Sequence, residues 1–281
     1  MAITTEDGIV AGLKPPAVFV KNVAAAEAAG QYRNLGNVAG NPGAWVLVAP
    51  GMAGVAVTTA TIGGALSFTN GGASNVYLAS LAVSVGANIV GYYLYDLLWY
   101  QSGIVETTTT AQTINSVAWP ARSSDGTVNG DKVEVWMHCT TASTNAAAIA
   151  NTTFAYTNQA GTAGRSAGLA YSWPATAVVG TMVPFGLQAG DTGVRSIQSV
   201  TLGTSYVGGQ VELIALRSIA FVPFVGAVSG MLLDWAGLGF PQLFDNSALY
   251  MAYLSSGTAG SVVQGKASYA IGKWRQNDSS F

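Results

Sequence analysis

Asp191-Thr192-Gly193 is the first candidate for chemistry in this chain, because the same triplet surrounds the catalytic carboxylate of aspartic proteases. That chemistry needs two carboxylates sharing a proton, so a second copy of the chain would have to complete the dyad. The context favours a turn instead. The triplet follows Gln188-Ala189-Gly190 rather than an apolar strand, and Val194-Arg195 comes next. In a turn, Asp191 accepts from nearby backbone N–H groups and Gly193 supplies a positive φ. Asp191 is therefore expected to organise the segment from Leu187 to Val194, with Arg195 assisting.

His138 and Cys139 are the chain's single histidine and single cysteine. Neighbours on a strand point to opposite faces, so there they cannot form a thiol–imidazole pair. Cys139 reads as a small core residue and His138 as a face residue beside Trp136. No G-x-S-x-G elbow offers a serine nucleophile. Asn151-Thr152-Thr153 fits a glycosylation acceptor, but Met1 to Asp7 has acidic residues and no basic n-region of a secretory signal. There is no P-loop, dinucleotide fingerprint or Ca²⁺ loop. One Cys and one His exclude a disulfide framework and zinc sites built on several Cys or paired His. The residues thus predict no enzyme: no catalytic, cofactor-binding or metal-binding residues, and no cofactor.

The elements that hold these residues read as β. In Lys132 to Cys139, Val133, Val135, Met137 and Cys139 share one face, with Lys132, Glu134, Trp136 and His138 on the other. Thr152, Phe154 and Tyr156 alternate in a second strand ending at Asn158. Gln210 to Arg217 is apolar on both faces, which predicts a central strand. Leu94 to Tyr100 fits a strand or a short helix. Asn41-Pro42-Gly43, Ala49-Pro50-Gly51, Asn70-Gly71-Gly72 and Ser123-Ser124-Asp125-Gly126 are turn signals at strand spacing. One helix is expected around Met231 to Trp235, and one or two helical turns from Val23 to Ala29 with Asn22 as N-cap. The predicted fold is mainly β: an antiparallel β-sandwich or jelly roll forming one domain over 31–281. An extended N-terminal arm over 1–30 carries Pro15-Pro16 and precedes it. Ile9, Val10, Leu13, Val18 and Phe19 would bury either on a neighbouring molecule or on the arm's own domain.

Composition narrows the function. Of 281 residues, 50% are hydrophobic and 9% charged, with 11 Lys plus Arg against 13 Asp plus Glu and a net charge of −2. Disorder is excluded, since disordered chains pair low hydrophobicity with high charge. Nucleic acid is not an expected partner, because phosphate neutralisation needs clustered Lys and Arg. Asn34 to Tyr95 has no charged residue at all, and Val76 to Tyr95 is long enough to cross a bilayer. Ser80, Ser84, Gly86, Asn88 and Gly91 interrupt that run, so it is read as β structure with no membrane partner. A terminal Phe281 is shared with outer-membrane barrels, but Ser279 and Asn277 break the alternation that a barrel's last strand would have. So little charge predicts a protein that buries its outside against copies of itself.

Leu98-Trp99-Tyr100-Gln101-Ser102-Gly103-Ile104, the Thr107 to Ser116 segment, Pro120-Ala121-Arg122, Tyr156-Thr157-Asn158 and Phe240-Pro241-Gln242-Leu243-Phe244-Asp245 resemble virion structural proteins of tailed bacteriophages. The likeness is strongest from Leu187 to Leu202 and covers Leu97 to the C-terminus. It carries no catalytic residues. It implies a non-enzymatic structural protein of the phage particle, a capsid decoration or cement protein that binds and stabilises the major capsid protein lattice. A tail or head–tail connector component is the alternative within that class. An outer-membrane β-barrel and an aspartic-type peptidase are the alternatives outside it. The implied location is the virion, assembled in the host cytoplasm. The implied partners are the major capsid protein and further copies of the chain, with a trimer expected from the symmetry of phage capsids.

Overall fold

The longest strands occupy the stretches richest in β-branched and aromatic residues, which fit a pleated, half-buried surface. The computed structural model describes residues 2–3, 5–23, 28–45, 49–86, 88–225, 228–257 and 261–274. The chain runs through β1 (Ala2–Ile3), α1 (Glu6–Gly12), β2 (Ala17–Val23), β3 (Tyr32–Asn34), β4 (Gly40–Asn41), β5 (Val55–Ala56), β6 (Asn75–Val85) and β7 (Ile89–Tyr100). It continues through β8 (Gln112–Thr113), β9 (Val133–Thr141), β10 (Thr153–Asn158), β11 (Arg165–Leu169), β12 (Thr181–Gly186) and β13 (Val194–Thr201). The last part holds β14 (Gln210–Pro223), β15 (Ser229–Asp234), α2 (Trp235–Leu238), β16 (Gln242–Leu243), β17 (Ala248–Ser255) and β18 (Ser261–Trp274). The fold is mainly antiparallel β and layered as a sandwich, as the alternation predicts.

A seven-stranded sheet is ordered β15-β6-β18-β2-β4, with β1 and β16 attached to β18 and β6. An eleven-stranded sheet is ordered β3-β17-β7-β14-β9-β12-β11-β10-β13-β8, with β5 on β7. Within it β3 pairs with both β17 and β12, so β3, β17, β7, β14, β9 and β12 close into a ring. Side chains fill the inside of this ring: Tyr95, Trp136, Met182, Ile214, Leu216 and Tyr250 form one buried cluster. Its outside is covered twice. Val133, Val135, Met137, Val211 and Leu213 pack under β10 and β13 through Phe154, Tyr156, Ile197 and Val200. Tyr92, Leu94, Leu249, Met251 and Val222 pack under the seven-stranded sheet through Phe19, Leu78, Leu81, Val83 and Val263.

β14 serves both outer cores. The register shift between Ser218 and Ala220, where Ile219 is the extra residue, changes which positions of β14 face outward. Odd-numbered Val211, Leu213 and Ala215 join one core, and even-numbered Ala220 and Val222 join the other. β14 lies between β7 and β9, in the central position its two apolar faces predict. Leu94 to Tyr100 is strand.

The N-terminal segment packs on its own fold. β2 pairs with β18 from Val23↔Ser261 to Ala17↔Ala267, and Phe19 is fully buried, stacked on Tyr92 at 5.4 Å. Ile9 of α1 is buried against Tyr77, Ala79 and Ala270. Lys21 is buried as well, donating from Nζ to the carbonyls of Val38 (3.2 Å), Pro42 (2.6 Å) and Gly43 (3.1 Å). Val10, Leu13 and Val18 remain exposed.

Two local readings differ from the expected ones. The helix placed at Met231 to Trp235 is the strand β15 followed by the single turn α2. Met231 and Leu233 face the core while Gly230 and Leu232 face out, a period of two that pairs β15 with β6. The helical turn expected over Val23 to Ala29 lies mostly outside the described residues; Asn22 and Val23 belong to β2.

Candidate functional site

Asp191 sits between β12 and β13 with its carboxylate fully engaged. Arg165 of β11 donates from Nε to Oδ2 (2.8 Å) and from Nη2 to Oδ1 (3.1 Å). Tyr156 of β10 donates its hydroxyl to Oδ2 (2.5 Å), and Asn158 donates from Nδ2 to Oδ1 (2.7 Å). The Arg165 guanidinium, with these two further donors, holds the Asp191 carboxyl down at about 2. With two donors on each oxygen, this carboxylate has no free position from which to share a proton with a second carboxyl, as a dyad requires. The expected organiser of the turn is thus in place, but its cation is Arg165 rather than Arg195. Gly193 is small for another reason than a positive φ. A Cβ there would lie 2.0 Å from the Gly130 carbonyl oxygen, so the two loops touch through their backbones.

His138 and Cys139 face opposite sides of β9. Cys139 lies in the core under β10 and β13, and its thiol donates to the Thr141 carbonyl at 3.2 Å. Burial pushes that thiol up to about 12, so it is not a nucleophile at neutral pH. His138 lies inside the ring, where Nε2 meets Asn34 Nδ2 at 3.2 Å and burial pushes the imidazole down to about 4. In the Asn151-Thr152-Thr153 triplet, the Thr152 hydroxyl is buried and bonded to Tyr206 Oη and the Gly203 amide.

Two buried ionic arrangements carry no signal in residue spacing. Asp96, fully buried on β7, receives Arg122 Nε at 3.0 Å, Arg217 Nη2 at 3.5 Å, the Ser247 hydroxyl at 2.6 Å and the Ala248 amide at 3.2 Å. Arg122 also donates to the carbonyls of Val57, Leu97 and Asn246, and Arg217 to that of Gln242. This cluster ties β7 and β14 to the loops after β5, before β9 and before β17. The second arrangement extends a strand ladder. β7 stops pairing with β14 at Tyr100↔Ile214, and the chain beyond it takes over. The Gln101 amide donates to the Leu213 carbonyl, and Glu106 Oε1 accepts from the Val211 amide at 2.7 Å. Burial pushes Glu106 up to about 7. Glu212 also rises to about 7 through burial, with the Glu106 charge adding to it. No group of three or more metal-ligating side chains occurs among the described residues.

What remains for contact with other molecules is surface. The outward side of the seven-stranded sheet forms an apolar groove of about 580 Å³, lined by Val18, Val20, Ala82, Gly230 and Leu232 among others, with Lys266 as its cation. Beyond it, Phe221, Val225 and Val228 are 46%, 90% and 80% exposed at the corner where β14 leads into β15. The ring differs from a membrane barrel, because its interior is packed and its outside is covered by other strands of the same chain. No helix among the described residues is long and apolar enough to cross a membrane.

No family model matches the chain, and no curated protein matches it. Among solved structures, the VP2 subviral particle of infectious bursal disease virus aligns at 10% identity and a TM-score of 0.23, covering 96% of this chain and 83% of that one. The structure of the Gx strain of the same virus aligns at 9% identity and a TM-score of 0.21, covering 94% and 85%. Similarity at that level assigns neither fold family nor function.

Proposed function

We propose that this chain is a non-enzymatic structural protein of a bacteriophage particle, a capsid decoration or cement protein that binds the major capsid protein lattice. The observation that carries the reading is the resemblance to tailed-phage virion proteins from Leu187 to Leu202. The fold makes that segment a framework: Asp191, fastened to β10 and β11, joins two strands of the outer layer. A framework segment with no reactive group suits a protein whose work is to be built into a shell. The low charge and the exposed apolar corner suit burial against neighbours, and copies of the chain, grouped as trimers, would share the load among many modest contacts.

Cosedimentation of the purified chain with empty capsid shells tests the reading, together with electron microscopy of virions carrying the labelled chain. Saturable binding to shells and label over the capsid surface are expected. Label confined to the tail or the head–tail junction would replace the decoration role by a connector or tail role. Absence from the virion would end the structural reading.

A further inference from the structure

The edge formed by β15 has the features of a strand-pairing site. It ends the seven-stranded sheet, so along its outer side the backbone N–H and C=O groups have no neighbouring strand among the described residues. The opposite edge is blunted: β2 is capped there by the two-residue β4, which runs straight into Pro42. β15 has no such protection. Its sequence, Ser229-Gly230-Met231-Leu232-Leu233-Asp234, contains no Pro and no Lys, the residues that commonly keep strand edges apart. Leu232 is 65% exposed on the outward face, continuous with exposed Val225 and Val228.

We propose that β15 is a self-association edge, where two copies of the chain pair these strands antiparallel about a two-fold axis through Leu232 and continue the sheet across the interface. The strand suits its own copy better than an unrelated partner. With Leu232 opposite Leu232, residues whose numbers sum to 464 face each other, so directly opposed side chains share a face. Met231 then meets Leu233 on the core side, and the two Leu232 side chains meet outside. Asp234, the strand's only charge, falls opposite Gly230 and not opposite its own copy, so the register brings no like charges together. The pairing satisfies the idle backbone groups and covers Leu232. It rests on the homo-oligomeric part of the proposed function and names the surface involved. Such a contact makes dimers of single chains or joins trimers in pairs.

Two variants of the full chain test it. Leu232→Lys puts two ammonium groups face to face at the axis, and should halve the assembled mass in sedimentation while leaving the circular-dichroism spectrum unchanged. Leu232→Cys places thiols on opposed positions, whose Cα separation of roughly 4.5–5.5 Å in an antiparallel pair lies within disulfide reach. Mild oxidation should then give a covalent dimer much faster than the same treatment of Val207→Cys, which is at a comparably exposed site (62%). Cys139 is buried and gives little background. No dimer from Leu232→Cys, or one no faster than from Val207→Cys, overturns the edge, and this comparison decides if Leu232→Lys fails to fold. An unchanged mass for a folded Leu232→Lys overturns it too, while leaving oligomerisation through another surface in place. Wild-type chain that stays monomeric at every concentration overturns the homo-oligomer reading as well.

Discussion

Arg165 and Asp191 meet fork to fork, Nε to Oδ2 at 2.8 Å and Nη2 to Oδ1 at 3.1 Å, across the 26 residues that separate β11 from the turn before β13. The pair ties β11 to the turn before β13 within the outer layer, and it does so with charge. The Asp191 carboxyl is depressed to about 2 in the fold and lies near 4 in an unfolded chain. Its contribution is therefore present above about pH 4 and lost as pH falls through about 2. In Asp191→Asn the thermal midpoint is expected to fall at pH 7 and to lose most of its dependence on pH between 4 and 2. A midpoint that still drops over that interval as in the wild type would place the acid sensitivity elsewhere.

Removing Asp96 is expected to be far more damaging than removing a surface acid. Arg122 and Arg217 would stay buried with no counter-charge, and breaking a buried pair from one side costs about 3–5 kcal/mol. Urea unfolding of Asp96→Ala should show that loss. Ser247→Ala, which removes one hydrogen bond to the same carboxylate, should lose roughly 1.5–3 kcal/mol.

Glu106 and Glu212 give a dependence of opposite sign. Each is raised from the ordinary carboxylate range to about 7 by burial, so the folded protein holds protons that the unfolded chain releases. Stability from these groups is full below about pH 4.5 and declines as pH rises through about 7. Glu212→Gln, and Glu106→Gln with its acceptor oxygen kept for the Val211 amide, should each raise the urea midpoint at pH 8 and change little at pH 4. A lower midpoint for both variants at pH 8 would mean that the charged forms are stabilised by groups other than those described.

The N-terminal segment is expected to behave as core. Phe19→Ala empties the site stacked on Tyr92 and should cost about 3–5 kcal/mol in urea unfolding. Deleting residues 1–20 should unfold the seven-stranded sheet in solution. A truncated chain with an unchanged circular-dichroism spectrum and midpoint would return the segment to the role of a detachable tether.

Periodicity made the strands around the ring legible. The alternation of Val133, Val135, Met137 and Cys139 is the face buried under β10 and β13, and the doubly apolar Gln210 to Arg217 run is central. β15 was harder to read: Met231 and Leu233 sit among glycines and a tryptophan, and a run that short fits either period. The ionic partners were not legible. Asp191 finds Arg165 and not the nearer Arg195, because β10 and β11 bring distant residues beside the turn. Asp96 and Arg217 are 121 residues apart and become cross-strand neighbours only once β7 lies against β14. Sequence distance carries no information about such pairings, since the sheet's strand order decides them.

β18 bears on how the protein is made. It lies between β6 and β2, so the last described strand to leave the ribosome separates two of the earliest. At ordinary elongation rates of about 5–20 residues per second, the 176 residues between Val85 and Ser261 take roughly 9–35 s to synthesise. Throughout that interval β2 and the facing edge of β6 lack their shared partner, while Phe19 and Val83 have no finished core to enter. Nascent chains arrested before Ser261 should accordingly be cut readily by protease within Ala17–Val23, and that sensitivity should vanish once Ser261–Trp274 has emerged. The strand order thereby makes synthesis of Ser261–Trp274 a condition for closing the smaller sheet.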